Sequence, residues 1–363
     1  MNSVIEQMLT QHGSATMDDR KNSIKEVVQE ILLCGLSRAG FFQSAAFYGG
    51  TALRLFYGLD RFSEDLDFSL VMSNSDFRLD TFLPFLEKEL LAYGFHFQAE
   101  SKNKAFASDI QSAFVKGGTR EHILLCFADE RLARTIGSSE RIKIKLEVDT
   151  TPPPFANFER RYRLFPVPFE VNLYDMPSLF AGKIHAVICR AWKNRVKGRD
   201  LYDYVFYMAR QTPVNLRHLN ARLIDSGFDS AREEMTIEEI REILFRRFET
   251  IDYAQARSDV LPFIRDPASL DVWSAPFFRD ITKTFRLWRA AASSFFGPLI
   301  LFNPANAPRV ISGFSQNPCR SPAPHAFQAI QEQSPKQKRR SLRFVFLAKN
   351  ENSFLSNRFH PNL

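Results

Sequence analysis

Asp65 and Asp67 stand two apart in Arg61-Phe62-Ser63-Glu64-Asp65-Leu66-Asp67-Phe68-Ser69-Leu70. Leu66, Phe68 and Leu70 alternate with them, so the segment reads as a strand whose carboxylates share one face. Like charges this close raise each other's pKa unless a cation lies between them. A divalent metal is the simplest relief, and all-oxygen ligands beside a phosphate point to magnesium or manganese. Upstream, the apolar run Ala45 to Tyr48 ends in Gly49-Gly50-Thr51. This reads as a strand, a tight turn and a short helix over Thr51 to Tyr57, with Thr51 as its cap. Free N–H groups at such a helix start suit phosphate. A phosphate seat beside paired aspartates implies metal-assisted nucleotidyl or phosphoryl transfer. The plain alternative is a solvated Asp-x-Asp and glycines that only make a bend.

Two further groups of residues fit the same chemistry. Arg141 to Thr150 alternates strictly: Ile142, Ile144, Leu146 and Val148 take one face, Lys143, Lys145, Glu147 and Asp149 the other. The polar face could be merely solvated. If this strand lies beside Asp65–Leu70, either Glu147 or Asp149 supplies a third carboxylate. Farther on, Lys183 sits in an apolar helix, and Arg190, Lys193, Arg195, Lys197 and Arg199 precede Asp200 and Asp203. Asp200 and Asp203 share a helix face, and Asp200 is placed to act as an N-cap. One reading is a solvated basic loop capped by an acid. The other is that Lys183 and the loop cations bind a nucleotide triphosphate against the metal site.

The elements that must position these residues follow from periodicity. Helices are expected over Asp18–Arg38 and Asp76–Tyr93, and strands over Phe95–Glu100, Asp109–Val115, His122–Ala128 and Phe169–Tyr174. Gly117-Gly118 is expected to turn between two of these strands. Thr151-Pro152-Pro153-Pro154 ends the alternating strand. After Pro177 the pattern is helical: Pro177–Trp192, Asp200–Gln211, Asn215–Asp225, Thr236–Glu249, Tyr253–Phe263 and Leu270–Ala291. We therefore expect an α/β domain over 1–155, a mostly helical domain over 156–292 and a basic, disordered extension over 293–363.

Composition bounds the function. The 363 residues are 45% hydrophobic, enough for a sizeable core. Nine Lys and Arg against two acids follow residue 292 and account for the whole net charge of +7. The preceding part is neutral, so the basic character belongs to the tail and is no sign of nucleic-acid binding by the folded part. The tail could be a basic arm that touches RNA or a stretch without selected structure. Cys34, Cys126, Cys189 and Cys319 are far apart, which fits a reducing cytoplasm and argues against zinc and disulfides. Met1 to Gln11 lacks the apolar core of a signal peptide, and no apolar run is long enough to span a membrane.

In order, Gly-Gly-Thr with Arg-x-Ser-x-Asp-Leu-Asp, Lys-x-Glu on a strand, and Gly-Lys followed by Lys-Gly-Arg-Asp-x-x-Asp make up a pattern. From about Phe41 to Ala209 the chain resembles the AbiEii/AbiGii-type nucleotidyltransferase toxins of the DNA polymerase β-like superfamily, found in type IV toxin–antitoxin and abortive-infection systems. The resemblance implies an α+β fold: a polymerase β-like domain with a mixed sheet and flanking helices, then a helical bundle. It implies that Gly49, Gly50 and Thr51 hold triphosphate, that Arg61, Ser63 and Lys145 line the nucleotide site, and that Asp65 and Asp67 bind Mg²⁺ (or Mn²⁺). Glu147 would complete the metal site, although Asp149 remains an alternative. Lys183 would contact nucleotide phosphate, and Asp200 and Asp203 would complete the acidic pocket. The implied substrate is an NTP, the first-choice acceptor RNA such as a tRNA 3′ end, and the implied partner an antitoxin. Protein nucleotidylation, phosphoryl transfer and a non-catalytic binding module are the alternatives.

Overall fold

A computed structural model describes residues 3–12, 15–102, 109–190, 196–228 and 234–286, which belong to one compact unit. The extension after residue 292, Lys193 and Arg195 lie outside the described residues. The seven strands are β1 (Ala45–Tyr48), β2 (Leu66–Leu70), β3 (Phe97–Lys102), β4 (Ile110–Gly118), β5 (Arg141–Asp149), β6 (Phe158–Arg163) and β7 (Phe169–Tyr174). They form one mixed sheet in the order β3-β4-β5-β2-β1-β7-β6. The pairs β2–β5 and β1–β7 are parallel, and the others antiparallel. β6 and β7 follow the boundary expected at residue 155, yet they belong to this same sheet.

The helices are α1 (Ser3–Thr10), α2 (Met17–Arg38), α3 (Gly49–Tyr57), α4 (Leu83–Ala92), α5 (Thr119–Phe127), α6 (Glu130–Arg134), α7 (Met176–Cys189), α8 (Gly198–Ala209), α9 (Leu216–Asp225), α10 (Ile237–Glu249), α11 (Tyr253–Val260) and α12 (Ala275–Thr282). α2, α4 and α5 cover one face of the sheet, where Phe47, Phe68, Ile144, Leu146 and Val148 are buried. A second apolar core, built on Phe180, Tyr204, Tyr207, Phe248 and Phe278, joins α7 to α12 and reaches the other face through Ala46 and Tyr174. The alternation in β2 and β5 thus puts every apolar side chain into the first core and every carboxylate on the opposite face.

Four local expectations change. His122–Ala128 is helical, not a strand. Its apolar run is too short to separate the two states by composition, but His122, Ile123 and Cys126 are buried while Leu124 faces out, which is helical spacing. Gly117 and Gly118 accordingly end β4 instead of turning between strands. The helix expected from Asp76 begins only at Leu83, after a 3₁₀ turn over Leu79–Phe82. The last helix, expected over Leu270–Ala291, is shorter: it runs over Ala275–Thr282, 283–286 are not helical, and 287–291 lie outside the described residues.

Candidate active site

The glycine turn and the two aspartates are brought together by the β1–β2 pairing, which sets Tyr48 opposite Asp67. Gly49 has φ +83°, a left-handed conformation that a β-carbon would strain, and that carbon would lie 2.5 Å from Asp67 Oδ2. A β-carbon on Gly50 would come within 2.6 Å of Arg61 Nη2 and 2.9 Å of Ser63 Oγ. Thr51 is the third residue of α3, not its cap; Tyr48 holds that position without a side-chain bond. The Thr51 hydroxyl is buried; it donates to the Asp65 carbonyl and accepts from the Ser63 hydroxyl, 2.9 Å away. From α2, Gln29 Nε2 donates to the carbonyls of Ser63 (3.0 Å) and Glu64 (2.9 Å). The loop leading to the aspartates is therefore held from two helices.

The β2–β5 register distinguishes the two candidates for a third carboxylate. Asp67 lies opposite Glu147, whereas Asp149 lies opposite Ser69. Glu147 accepts from Lys145 Nζ (2.7 Å) and Ser112 Oγ (3.2 Å). Burial, with Asp65 and Glu147 nearby, pushes the Asp67 carboxyl up to about 7. Asp65 is raised too, first by burial, against the opposing pull of Lys145. Among the described residues no three His, Cys, Asp or Glu side chains are already drawn together as metal ligands; Glu147 is turned to Lys145. The oxygen donors of Asp65 and Asp67 fit a hard divalent ion in kind.

Lys183, Asp200 and Asp203 form a separate, buried cluster. Lys183 Nζ lies 2.8 Å from both Asp200 Oδ1 and Asp203 Oδ2. Arg61 makes a two-pronged bond to Asp203, at 2.6 and 2.7 Å, and Arg190 pairs with Asp200. Burial opposes ionisation of both aspartates, but these cations hold their carboxyls below the usual range. Asp200 is the third residue of α8 and does not cap it; Lys197 is the capping residue and makes no side-chain cap bond. Arg61 is 3% exposed, so its guanidinium is part of the interior.

Both clusters border a cavity of about 510 Å³. Asp67 and Glu147 line one side with Gly49 and Gly50, and Lys183, Arg190 and Arg222 contribute cations. Tyr48, stacked on Tyr174 with centroids 5.3 Å apart, forms an aromatic wall. Arg222, in α9, was not singled out from sequence. Its Nε is buried with no hydrogen-bond partner among the described residues. Nothing in the local pattern marks it, because an arginine in an amphipathic helix is ordinary. His185 was also missed; burial and Arg222 lower its pKa to about 4, so it is neutral at pH 7, and its Nε2 lies 3.0 Å from Ser226 Oγ.

Comparisons with known proteins bear on this arrangement. The family described as "Nucleotidyl transferase AbiEii toxin, Type IV TA system" matches residues 31–281. A crystal structure from H. pylori described as a "putative nucleotidyltransferase" aligns with TM-score 0.37 and 17% identity, covering 72% of this chain and 92% of that one. JHP933 from Helicobacter pylori aligns with TM-score 0.38 and 17% identity, covering 74% and 92%. Comparison with curated protein sequences gives no match. The family match takes in the glycine turn, both carboxylate strands, the Lys183 cluster and Arg222, over well more than half of the sequence, and the chain therefore belongs to the AbiEii nucleotidyltransferase toxins of type IV toxin–antitoxin systems.

Proposed function

We propose that this nucleotidyltransferase moves a nucleoside monophosphate from an NTP to the 3′ end of an RNA, a tRNA being the first choice, and requires Mg²⁺ or Mn²⁺. The carrying observation is the cavity itself: Asp67, Glu147 and a glycine turn share one space with Lys183 and with Arg222, whose Nε has no partner among the described residues. A triphosphate needs cations for its phosphates, and its transfer needs anionic ligands for the metal. Gly49, Gly50 and Thr51 present the start of α3 to the phosphates. Lys183 and Arg222 receive the β- and γ-phosphates. The Tyr48–Tyr174 wall lies against the nucleoside.

Asp65 and Asp67 hold the divalent ion, which when bound supplies Lewis-acid polarisation of the phosphoryl oxygens. Glu147, opposite Asp67, is the better-placed third carboxylate, and leaving Lys145 would let it turn inward. The acceptor hydroxyl forms the new bond to the α-phosphorus as the bond to the β-phosphate oxygen breaks; pyrophosphate leaves and the hydroxyl proton passes to water. Arg61 and Ser63 act as positioning residues: they pack against Gly50 and tie the aspartate loop to α8. Asp200 and Asp203 set the place and charge of Lys183.

The toxin–antitoxin family implies a nucleotide substrate and an antitoxin partner. No helix among the described residues is long and apolar enough to cross a membrane; we place the reaction in the cytoplasm. The test is incubation with each α-labelled NTP, divalent ion and total cellular RNA, followed by a denaturing gel. Label in a tRNA-sized band, lost with Asp67→Asn, supports the reading. Label in protein alone, or none in RNA with any NTP, overturns the RNA acceptor.

A further inference from the structure

The outer strands β3, β4 and β5 carry their own surface on the face that bears the catalytic carboxylates. Side-chain alternation puts Ser112, Phe114 and Lys116 of β4 on that face, next to Lys143, Lys145 and Glu147 of β5. Ser112 lies opposite Glu147 and Phe114 opposite Lys145, so the rows run without interruption to Asp67. Phe114 is half-buried, while Lys102 and Lys143 are exposed. Three ammonium groups converge on its ring: Lys143 Nζ at 3.7 Å from the centroid, and Lys102 and Lys116 each at 5.8 Å. Lys116 is paired with Glu100 and Lys145 with Glu147. Among the described residues no carboxylate pairs with Lys102 or Lys143.

We infer that this wing of the sheet seats single-stranded RNA, with Phe114 stacking on a base and Lys102, Lys116 and Lys143 taking the phosphates; the inference rests on the reading of RNA as acceptor. The combination decides the ligand class. Clustered cations alone would suit any polyanion, and a half-exposed ring alone would suit any apolar contact. A ring encircled by ammonium groups matches a ligand whose flat faces and anionic links alternate, as single-stranded nucleic acid does. Location adds to this. From strand spacing and rise, Phe114 lies about 12 Å from Asp67, two strands across and two residues along. A strand whose 3′ end sits at the carboxylates would lay its preceding nucleotides over this surface. Specificity would come from stacking and backbone contact and would tolerate changes in base, because every base has a flat face.

The experiment measures binding of a 5′-fluorescein-labelled single-stranded oligoribonucleotide to the full chain, without NTP, by anisotropy. Phe114→Ala is expected to weaken binding on the order of ten-fold, and Phe114→Trp to retain it. Lys102→Gln and Lys143→Gln should each flatten the slope of log K against log salt by about 0.7. NTP-dependent thermal stabilisation should be the same in every variant as in wild type, and KM for RNA, not for NTP, should rise in Phe114→Ala, Lys102→Gln and Lys143→Gln. Unchanged affinity in Phe114→Ala, or no binding by wild type at low salt, overturns the inference. So does competition by poly-L-glutamate as effective as that by RNA, which would show a simple polyanion surface. RNA labelled normally with an unchanged KM in Phe114→Ala also overturns it and leaves the acceptor reading standing. Binding that depends on Phe114 while no RNA is ever labelled supports the surface and counts against the acceptor reading.

Discussion

Replacing Asp67 by Asn tests whether the paired carboxylates carry unrelieved repulsion. The Asp67 carboxyl is raised from 3.8 to about 7, by burial first and then by Asp65 and Glu147. One pH unit corresponds to about 1.4 kcal/mol, so the shift bounds the cost of ionising this group at about 4 kcal/mol. The side chain lines a cavity that water can enter, and screening reduces the expected gain to about 1–2 kcal/mol. For a unit of this size that is a rise in Tm of roughly 2–8 °C. The sign follows from linkage: the folded pKa exceeds the unfolded one, so folding takes up a proton and the penalty grows between pH 4 and about 7. The advantage of Asn should thus be small at pH 4, increase toward pH 7 and then level off. Divalent ion should stabilise wild type and leave Asp67→Asn nearly unmoved, since only a binding-competent site gains from mass action. The assay is a thermal melt at pH 4.5 and pH 8, with and without Mg²⁺. A variant that melts at or below wild type at pH 8 without metal would refute the repulsion argument, as would an advantage independent of pH.

Other perturbations separate chemistry from support. Asp203→Ala strands buried Arg61 without its partner and should cost about 3–5 kcal/mol, measured by urea denaturation; Arg61→Met with Asp203→Leu should cost less than the sum of the single changes. Gly49→Ala combines a left-handed residue with a 2.5 Å approach to Asp67 and should lose about 1–3 kcal/mol along with transfer. Arg222→Gln should raise KM for NTP and leave the melting temperature within a degree or two, as no partner of its Nε is lost. A chain ended at Ala292 should keep NTP-dependent transfer, because every residue that lines the site precedes Gly227.

Much of this site could be read in the sequence because its parts are local. Strict alternation in β5 fixed both its strand state and which side chains share a face. The order Gly-Gly, Asp-x-Asp reads as a turn and a strand; the glycines open α3, and one antiparallel pairing closes the distance between them and the aspartates. Helix starts at Asn215 and Thr236 were visible because the capping side chain lies within three residues of its N–H partner. What sequence could not show depends on distant contacts. Thr51 looks like a cap until the Asp65 carbonyl arrives beside it. Arg61 shows no sign of its partner until α8 brings Asp203 against it, 142 positions away. Asp200 fits a capping position by type, but Lys183 and Arg190 claim both of its oxygens. Arg222 has no signal at all, since its meaning is its place over the cavity.

The two carboxylate groups differ in how their charge is balanced, and that difference determines what mutagenesis can teach. Asp200 and Asp203 have Lys183, Arg61 and Arg190 in contact, so their charges are met within the protein and their pKa values fall. Removing any member leaves a buried charge unmatched, and loss of activity there cannot be separated from loss of fold without a melt of the same sample. Among the described residues Asp65 and Asp67 have no such shell: Lys145 is the principal cation pulling on Asp65, and it is also bonded to Glu147. Burial first, and then the neighbouring carboxylates, raise both pKa values, and no side chain among the described residues forms an ion pair with either group. Neutral substitutions there should cost catalysis while sparing, or raising, stability. A protein whose first cluster fails by unfolding and whose second fails without unfolding would assign scaffold to the former and chemistry to the latter. Equal destabilisation at both would mean that Asp65 and Asp67 are held by contacts of the same kind, and the claim of an unmet charge would fall.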